Sequence, residues 1–170
     1  MEFYENIFWY TDPSGIVLSN AKLNEGWTES VSSFSDRTGL EGATTPYAAL
    51  HLDREKEALW EKIRADEFPD RPTRLKALFL FVSRADAETA MQTWFRGQDR
   101  DFLAIQVPKT SNLHVGDSKH LDAAQSDWDS AARSYWAGHH TAEPFLEGVL
   151  YGKAFVHNWQ SLQPRLRRGF

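Results

Sequence analysis

The sequence predicts a two-layer α+β fold in which a split β-sheet is flanked by helices. Short apolar and aromatic segments with the pattern of strands are separated by single helical segments. No Gly-rich turn of the dinucleotide-binding type follows the first strand, which disfavours the alternative of a doubly wound parallel sheet. The 170 residues, 41% of them hydrophobic, are sufficient for a single domain over 1–170 with its own core.

The predicted elements alternate between strand and helix along the chain. Strands are indicated by β-branched and aromatic runs, and helices by apolar residues three or four positions apart. In chain order we expect a strand at 6–11, a Ser/Thr/Gly-rich loop at 28–45, a helix at about 47–67 capped by Thr44 or Thr45, a strand at 75–82, a helix at 86–95, a strand at 102–107, a polar loop with His114, Asp117 and His120, a helix at 122–136, and one or two bent strands at 145–156. The strand at 75–82 is apolar enough for both faces to be buried, whereas charged positions 53–57 are expected to be mostly solvated.

Composition and charge exclude several classes of function. The net charge of −5 argues against binding nucleic acid through phosphate neutralisation alone. Cysteine is absent, so disulfides and thiolate metal sites are excluded. No stretch reaches the roughly 18 apolar residues of a membrane span, and residues 1–6 lack the pattern of a signal peptide. We therefore expect no membrane association, and a solvated basic tail at Arg165, Arg167 and Arg168.

The common catalytic motifs are missing. The sequence has no phosphate-binding Gly-x-x-x-x-Gly-Lys loop and no Gly-x-Ser-x-Gly elbow, and no Ser has a setting that suggests a triad. His114, Asp117 and His120 recur every three residues, with His139 and His140 further on, but their spacing is not that of a zinc protease. No metal is expected.

Two charged residues beside apolar strands are the candidates for chemistry. Arg74 directly precedes a buried strand, where its planar guanidinium could bind a pyrophosphate or a ribose; a surface ion pair with Glu61 or Asp66 is the alternative. Glu147 is the single acid in the final apolar strand, where it could stabilise positive charge at an anomeric carbon. Its alternative is an outward-facing position next to solvent.

These residues belong to a series of short segments whose order resembles a known family. Trp9 and Thr11 lie in the first strand, Arg74 precedes the central strand, Ser83 ends it, Tyr135-Trp136-Ala137-Gly138 closes a helix, and Glu147 is followed by Leu150 and Gly152. Together they resemble the ADP-ribosyltransferase superfamily, especially its small bacterial and phage members. Trp9 stands where many members have a His, and Thr11 is similar to the Thr or Ser that follows it.

The resemblance implies a mostly antiparallel split sheet, NAD as the substrate and no metal. Glu147 would be the catalytic residue, holding the nicotinamide ribose. The residues implied in NAD binding are Tyr10, Thr11, Arg74, Ser83, Tyr135 and Trp136, and the rings considered for stacking on nicotinamide are Tyr10, Tyr47, Tyr135 and Trp136.

The resemblance also bears on the biological role. It implies an effector, toxin or phage-encoded modifier of a target macromolecule, active in the cytoplasm of the producing or target cell, with a neutralising partner protein possible. Phe145, two residues before Glu147, disfavours the relatives that modify arginine, and protein is favoured over nucleic acid as the target. The alternatives are a non-catalytic binding or inhibitor protein on an α+β fold, and an unrelated hydrolase or nuclease.

Overall fold

A seven-stranded antiparallel sheet with helices packed against it forms the computed structural model, which describes residues 1–31, 33, 39 and 53–163. The strand order is β2-β7-β4-β1-β3-β6-β5. The strands are β1 Phe8–Asp12, β2 Trp27–Glu29, β3 Leu78–Phe81, β4 Asp101–Gln106, β5 Asn112–Asp117, β6 Leu146–Tyr151 and β7 Lys153–Val156. The helices are α1 Ile16–Leu23, α2 Arg54–Glu67, α3 Arg84–Gln92 and α4 Trp128–Ala137, with short 3-10 turns at Arg74–Lys76, Ser118–Asp122 and Gln125–Asp127. The predicted α+β class, with an antiparallel sheet flanked by helices, is confirmed.

The pairing between neighbouring strands is shortest between β1 and β3. These strands share one pair of partner residues, Trp9 opposite Phe81. On either side of the junction, β1 pairs with β4 over five residues and β3 pairs with β6 over four. The sheet therefore consists of two well-paired halves, β2-β7-β4-β1 and β3-β6-β5, joined at a single point.

Two hydrophobic clusters bury the two faces of the β3-β6-β5 half. Leu80 and Leu150 belong to a cluster that includes residues of β4, β7 and α1, whereas Val149 packs with Trp60 of α2 and Trp136 of α4 on the other face. Consecutive residues of one strand therefore point into different cores. Both faces of the strand are apolar, which explains the nearly continuous apolar sequence of β3 and β6. Among the described residues, no helix combines the length and apolarity needed to cross a membrane.

Helix α2 begins later than the sequence predicts. Its first residue is Arg54, and the Asp53 carboxylate accepts a hydrogen bond of 3.1 Å from the Lys56 amide, as an N-cap does. The backbone of Asp53 is not helical, so the predicted helix cannot continue through it towards residue 47. The predicted caps Thr44 and Thr45 lie outside the described residues, as do Tyr47 and the basic tail.

The predicted polar loop around His114 is wrong, because residues 112–117 form strand β5. Its polar side chains misled the prediction: His114 and Asp117 are buried, and their polar atoms bond within the protein. Helix α4 is also shorter than predicted and begins at Trp128. The segment 145–156 forms β6 and β7, which bend at Gly152, where φ is +120°.

Candidate functional site

Arg74 and Glu147, the two residues that the sequence singles out, are in direct contact. Arg74 lies on the 3-10 turn before β3, and its Nη1 donates to Oε1 of Glu147 on β6. The same Nη1 donates to the hydroxyl of Tyr135 at 2.7 Å, and that hydroxyl donates to Glu147 Oε1, also at 2.7 Å. The structure thus joins three predicted site residues in one hydrogen-bonded group, and Arg74 pairs with neither Glu61 nor Asp66.

A fourth member, Glu57 of α2, was not predicted. Its carboxylate accepts from Arg74 Nε at 3.3 and 3.4 Å and from Nη2 at 3.3 Å, and it is 4% exposed. The expectation that this part of the helix is solvated is wrong for Glu57. The helical period contains the signal, since Glu57 precedes the buried Trp60 and Ile63 by three and six residues and shares their face.

The polar cluster formed by Glu57, Arg74, Tyr135 and Glu147 is buried except at one carboxylate. Arg74 is 2% exposed and Tyr135 is fully buried, whereas the Glu147 side chain is 17% exposed. Burial, with the neighbouring Glu147 charge adding to it, raises the pKa of Tyr135 well above its ordinary value, although Arg74 opposes the rise. The Tyr135 hydroxyl therefore keeps its proton and acts as a donor to Glu147.

The two oxygens of Glu147 differ in their bonding. Oε1 accepts from Arg74 and Tyr135, whereas no donor within the described part of the chain reaches Oε2. One oxygen thus fixes the carboxylate and the other keeps its acceptor capacity for a ligand. The cluster contains two carboxyl side chains and one guanidinium, so its acidic groups outnumber its basic one and it can stabilise a cationic centre.

An aromatic wall lies beside Glu147 on the same side of the sheet. Phe81 is the register partner of Glu147 across β3 and β6, and its ring packs edge-on against Phe145 at 6.2 Å. Trp94, in the turn after α3, packs against Phe145 with 4.8 Å between ring centroids. Trp94 is 57% exposed, which is unusual for so large an apolar ring. This wall was not predicted, because the exposure of Trp94 depends on how α3 ends.

The remaining predicted NAD-binding residues have other bonding partners, although the Trp136 ring packs edge-on against Tyr135 at 4.9 Å. Tyr10 packs against the core, and burial raises its pKa. The carbonyl and hydroxyl of Thr11 accept from Arg100 Nη1 at 3.3 and 3.4 Å. Ser83 caps α3 by accepting from the Asp86 amide at 3.0 Å. Trp136 is buried and donates to the Trp60 carbonyl at 2.9 Å. Of these four, none contacts the polar cluster through a side-chain hydrogen bond.

Trp9 stands where the resemblance predicts a His. Its side chain packs across the pairing of β1 with β4. Its ring stacks on Phe102 with 4.7 Å between centroids, and the guanidinium of Arg84 lies 5.3 Å above it. Trp9 is therefore part of an aromatic and cationic stack with Phe102 and Arg84.

The three residues of the alternative metal hypothesis have separate partners. His114 Nε2 bonds the Tyr135 carbonyl at 3.0 Å, and His120 Nε2 bonds the His139 carbonyl at 2.8 Å. The Asp117 carboxylate accepts from the amides of Lys119 and Phe145 and from the amide and hydroxyl of Thr141. Within the ranges that the structure describes, no three acidic or His side chains are arranged to hold a metal ion.

Comparison with known proteins gives a family. No curated protein matches the chain. A family model described as "Protein of unknown function (DUF2441)" matches residues 16–161, which include all four members of the polar cluster. Because the match covers most of the chain, this protein belongs to the DUF2441 family.

Proposed function

We propose that this protein is an NAD-dependent ADP-ribosyltransferase that modifies a target macromolecule, with Glu147 as its catalytic residue. The observation that carries the proposal is the bonding of Glu147. Its Oε1 is held by Arg74 and Tyr135, while Oε2 has no donor among the described residues and the side chain is partly exposed. A carboxylate fixed through one oxygen can accept a ribose hydroxyl through the other without losing its orientation.

The charge of the cluster suits this chemistry. Arg74 alone would cancel the charge of Glu147, but Glu57 shares the same guanidinium. The cluster therefore has more acidic than basic side chains and is mostly buried, and an electrostatic interaction is stronger in a buried setting than in water. Such a site favours positive charge that develops at the anomeric carbon in the transition state more than it favours the ground state.

The residues around Glu147 also fit NAD. Bound NAD would supply an ADP-ribosyl group whose bond to nicotinamide breaks as positive charge develops on the ribose. The ring of the nicotinamide is planar and cationic, and an aromatic face next to a carboxylate attracts such a group. Trp94 supplies an exposed aromatic face in the wall beside Glu147. We propose Trp94 for this role, because Tyr135 and Trp136 are fully buried.

Arg74 is assigned a positioning role in this proposal. Its guanidinium bonds Glu57, Tyr135 and Glu147 and is 2% exposed. A direct contact with the NAD pyrophosphate would require these bonds to open. The acceptor is proposed to be a protein, and Phe145, two residues before Glu147, makes arginine an unfavoured acceptor side chain. Its apolar ring offers no hydrogen bond to a guanidinium.

Glu147→Gln tests the proposal, because it keeps the shape of the side chain and removes its charge. We expect nicotinamide release from NAD to fall by on the order of 10² to 10³, with NAD affinity much less changed. The assay compares wild type, Glu147→Gln and the matched control Glu143→Gln, an exposed acid four residues earlier in the chain. Equal rates in wild type and a folded Glu147→Gln variant would contradict the assignment.

A non-catalytic binding protein is the second candidate, and the exposed Trp94 favours it. An exposed ring of this size in an aromatic wall is typical of a residue that a partner covers. The same experiment separates the two candidates. A wild-type protein that neither binds NAD nor releases nicotinamide would exclude the enzyme and leave the binding protein as the better explanation.

A further inference from the structure

A cavity of about 260 Å³ opens at the end of the β3-β6-β5 half opposite to Glu147. Its floor includes Asn112 of β5 and its register partner Tyr151 of β6. Tyr151 is four residues from Glu147 along β6, a distance of about 13 Å at the usual rise of a strand. The lining residues are Arg64, Pro69, Arg71, Pro72, Thr73, Asn112 and Tyr151. This cavity is therefore separate from the polar cluster.

Side chains from two elements hold the loop that forms the cavity rim. Arg64 of α2 donates through Nη1 to the Arg71 carbonyl at 2.9 Å, and Asn112 of β5 donates through Nδ2 to the Asp70 carbonyl at 2.7 Å. Arg64 is itself fixed by Glu61, which accepts from its Nε at 3.0 Å and its Nη2 at 2.8 Å. Consecutive carbonyls of the loop are thus bonded to a helix and to a strand, so the loop backbone has a defined position.

The guanidinium of Arg71 is the group of this loop that is available to a ligand. Arg71 is exposed, and among the described residues its side chain makes no hydrogen bond and no ion pair. Glu61 compensates the charge of Arg64, so the positive charge available in the cavity is that of Arg71. A planar fork of five donors on a fixed backbone suits a tetrahedral oxyanion, which accepts two parallel hydrogen bonds from it.

We propose that this cavity binds the phosphate group of a small phosphorylated ligand, with Arg71 as the main contact. The volume supports a small ligand, since sites for drug-sized molecules begin at about 300 Å³. A dinucleotide such as NAD is larger than a site of this class, which keeps this proposal independent of the proposed transferase activity. The shared chemistry is a phosphate dianion, carried either by inorganic phosphate or by a phosphomonoester.

The test is titration calorimetry of the full chain with inorganic phosphate and, separately, with glycerol 3-phosphate, both at fixed ionic strength. We expect wild type to bind at least one of them with a Kd on the order of 1 mM or tighter. Arg71→Ala removes the charged fork and is expected to weaken binding about tenfold or more, because charge-assisted hydrogen bonds to the phosphate are lost. Arg71→Lys keeps the charge without the fork and is expected to fall between the two.

Arg96→Ala is the matched control. Arg96 is also exposed and also makes no hydrogen bond or ion pair in the described region, but it does not line the cavity. We expect its variant to bind as wild type does, and tighter binding of the ester than of the ion would identify a phosphomonoester as the ligand. An equal loss in Arg71→Ala and Arg96→Ala, or no wild-type binding of either probe, would overturn the proposal. Because Arg71 is exposed and has no side-chain partner among the residues that the structure describes, its variants should remain folded, and circular dichroism verifies this.

Discussion

Arg74 is the residue on which the buried polar cluster depends. Its guanidinium is shared between Glu57 on one side and Glu147 with Tyr135 on the other. Arginine suits this position because its planar fork directs several donors at once, which the single ammonium of lysine cannot do. All three charged groups lose much of their hydration on folding, so their stability inside the protein depends on mutual compensation.

Replacement of Arg74 should therefore destabilise the fold far more than loss of a surface ion pair. Arg74→Met removes the guanidinium that Glu57 and Glu147 share, and we expect the free energy of unfolding to fall by about 3–5 kcal/mol. The double variant Glu57→Gln/Arg74→Met should cost less than the sum of its parts, because it also removes one of the two acids that lose this contact. Urea denaturation measures both effects.

Arg133 provides the comparison for this prediction. It pairs with Glu67 and Asp129 on the protein surface, where water screens the charges. Arg133→Met is expected to leave the urea midpoint almost unchanged. If Arg74→Met were equally mild, the cluster would not be needed for folding, and its geometry between α2, α4 and β6 would have to be explained by binding alone.

The site was partly predictable at the level of single residues. Arg74 and Glu147 are conspicuous because each is a charge beside or within an apolar strand, and such charges need a partner. Glu57 is not conspicuous, since it stands among five consecutive charged residues that read as a solvated helix face. The direct contact between Arg74 and Glu147 could not be predicted, because it depends on the pairing of β3 with β6.

At the level of elements, the bend between β6 and β7 depends on Gly152. Its φ of +120° is disfavoured for other residues, and a Cβ there would lie 2.9 Å from Ser111 Oγ and 3.3 Å from Ser111 Cα. Gly152→Ala should lower the free energy of unfolding by about 2–3 kcal/mol, because it introduces backbone strain and a close contact with Ser111, the residue before β5. Gly138→Ala is the control, because Gly138 also has a positive φ but an open surrounding.

The control gives the cost of a left-handed backbone without crowding. Gly138→Ala carries an αL penalty of about 1–2 kcal/mol, so any additional loss in Gly152→Ala reports its larger positive φ together with the contact with Ser111. Thermal or urea denaturation of both variants measures this difference. Equal losses in the two variants would indicate that Ser111 moves aside without cost.

Elements with a strong apolar pattern were predicted well, and those that bury polar groups were not. The strands at β1, β3 and β4 and the helix α3 were predicted within a few residues, because their patterns are local. For strand β5 the sequence predicts a loop, since His114 and Asp117 have the pattern of polar surface. Their burial depends on partners from α4 and from residues 141–145, which no local pattern contains.

At the scale of the whole molecule, the polar cluster belongs to one half of the sheet. Glu57 and Tyr135 come from α2 and α4, which pack on the β3-β6-β5 half, and Arg74 and Glu147 come from the 3-10 turn before β3 and from β6. The two halves meet at one residue pair. Changes that loosen this half, including changes of pH, should therefore affect the site directly.

His114 makes the stability of this half depend on pH. The pKa of His114 is lowered to about 4 from the ordinary value of 6.5, mainly by burial and with a contribution from the charges of Arg71 and Arg74, while the hydrogen bond to the Tyr135 carbonyl opposes the shift. The folded pKa lies below the unfolded one, so the unfolded chain takes up the proton first as pH falls. The contribution of the neutral imidazole is complete above about pH 6.5 and is lost progressively as pH falls from 6.5 to 4, by about 3 kcal/mol in total.

Asp117, on the same strand, also makes the protein less stable as pH falls, but it does so at lower pH than His114. Burial alone would raise its pKa, but the hydrogen bonds from Thr141, Phe145 and Lys119 lower it below the ordinary value. Its contribution is present above the unfolded pKa and is lost as pH falls through the folded one. The contributions of the two groups to stability can be measured separately, because His114 alone of the pair changes protonation above pH 5.

The decisive measurement is the slope of unfolding free energy against pH, from urea denaturation at intervals between pH 7 and 5. Near pH 5 the free energy of unfolding of the wild type is expected to increase by up to about 1.4 kcal/mol per pH unit as pH rises, because of His114. His114→Gln lowers stability at every pH, because it disturbs packing against Tyr135 and Trp136, but it should reduce the slope by that amount. A variant that is less stable and keeps the wild-type slope would show that His114 does not titrate in this window.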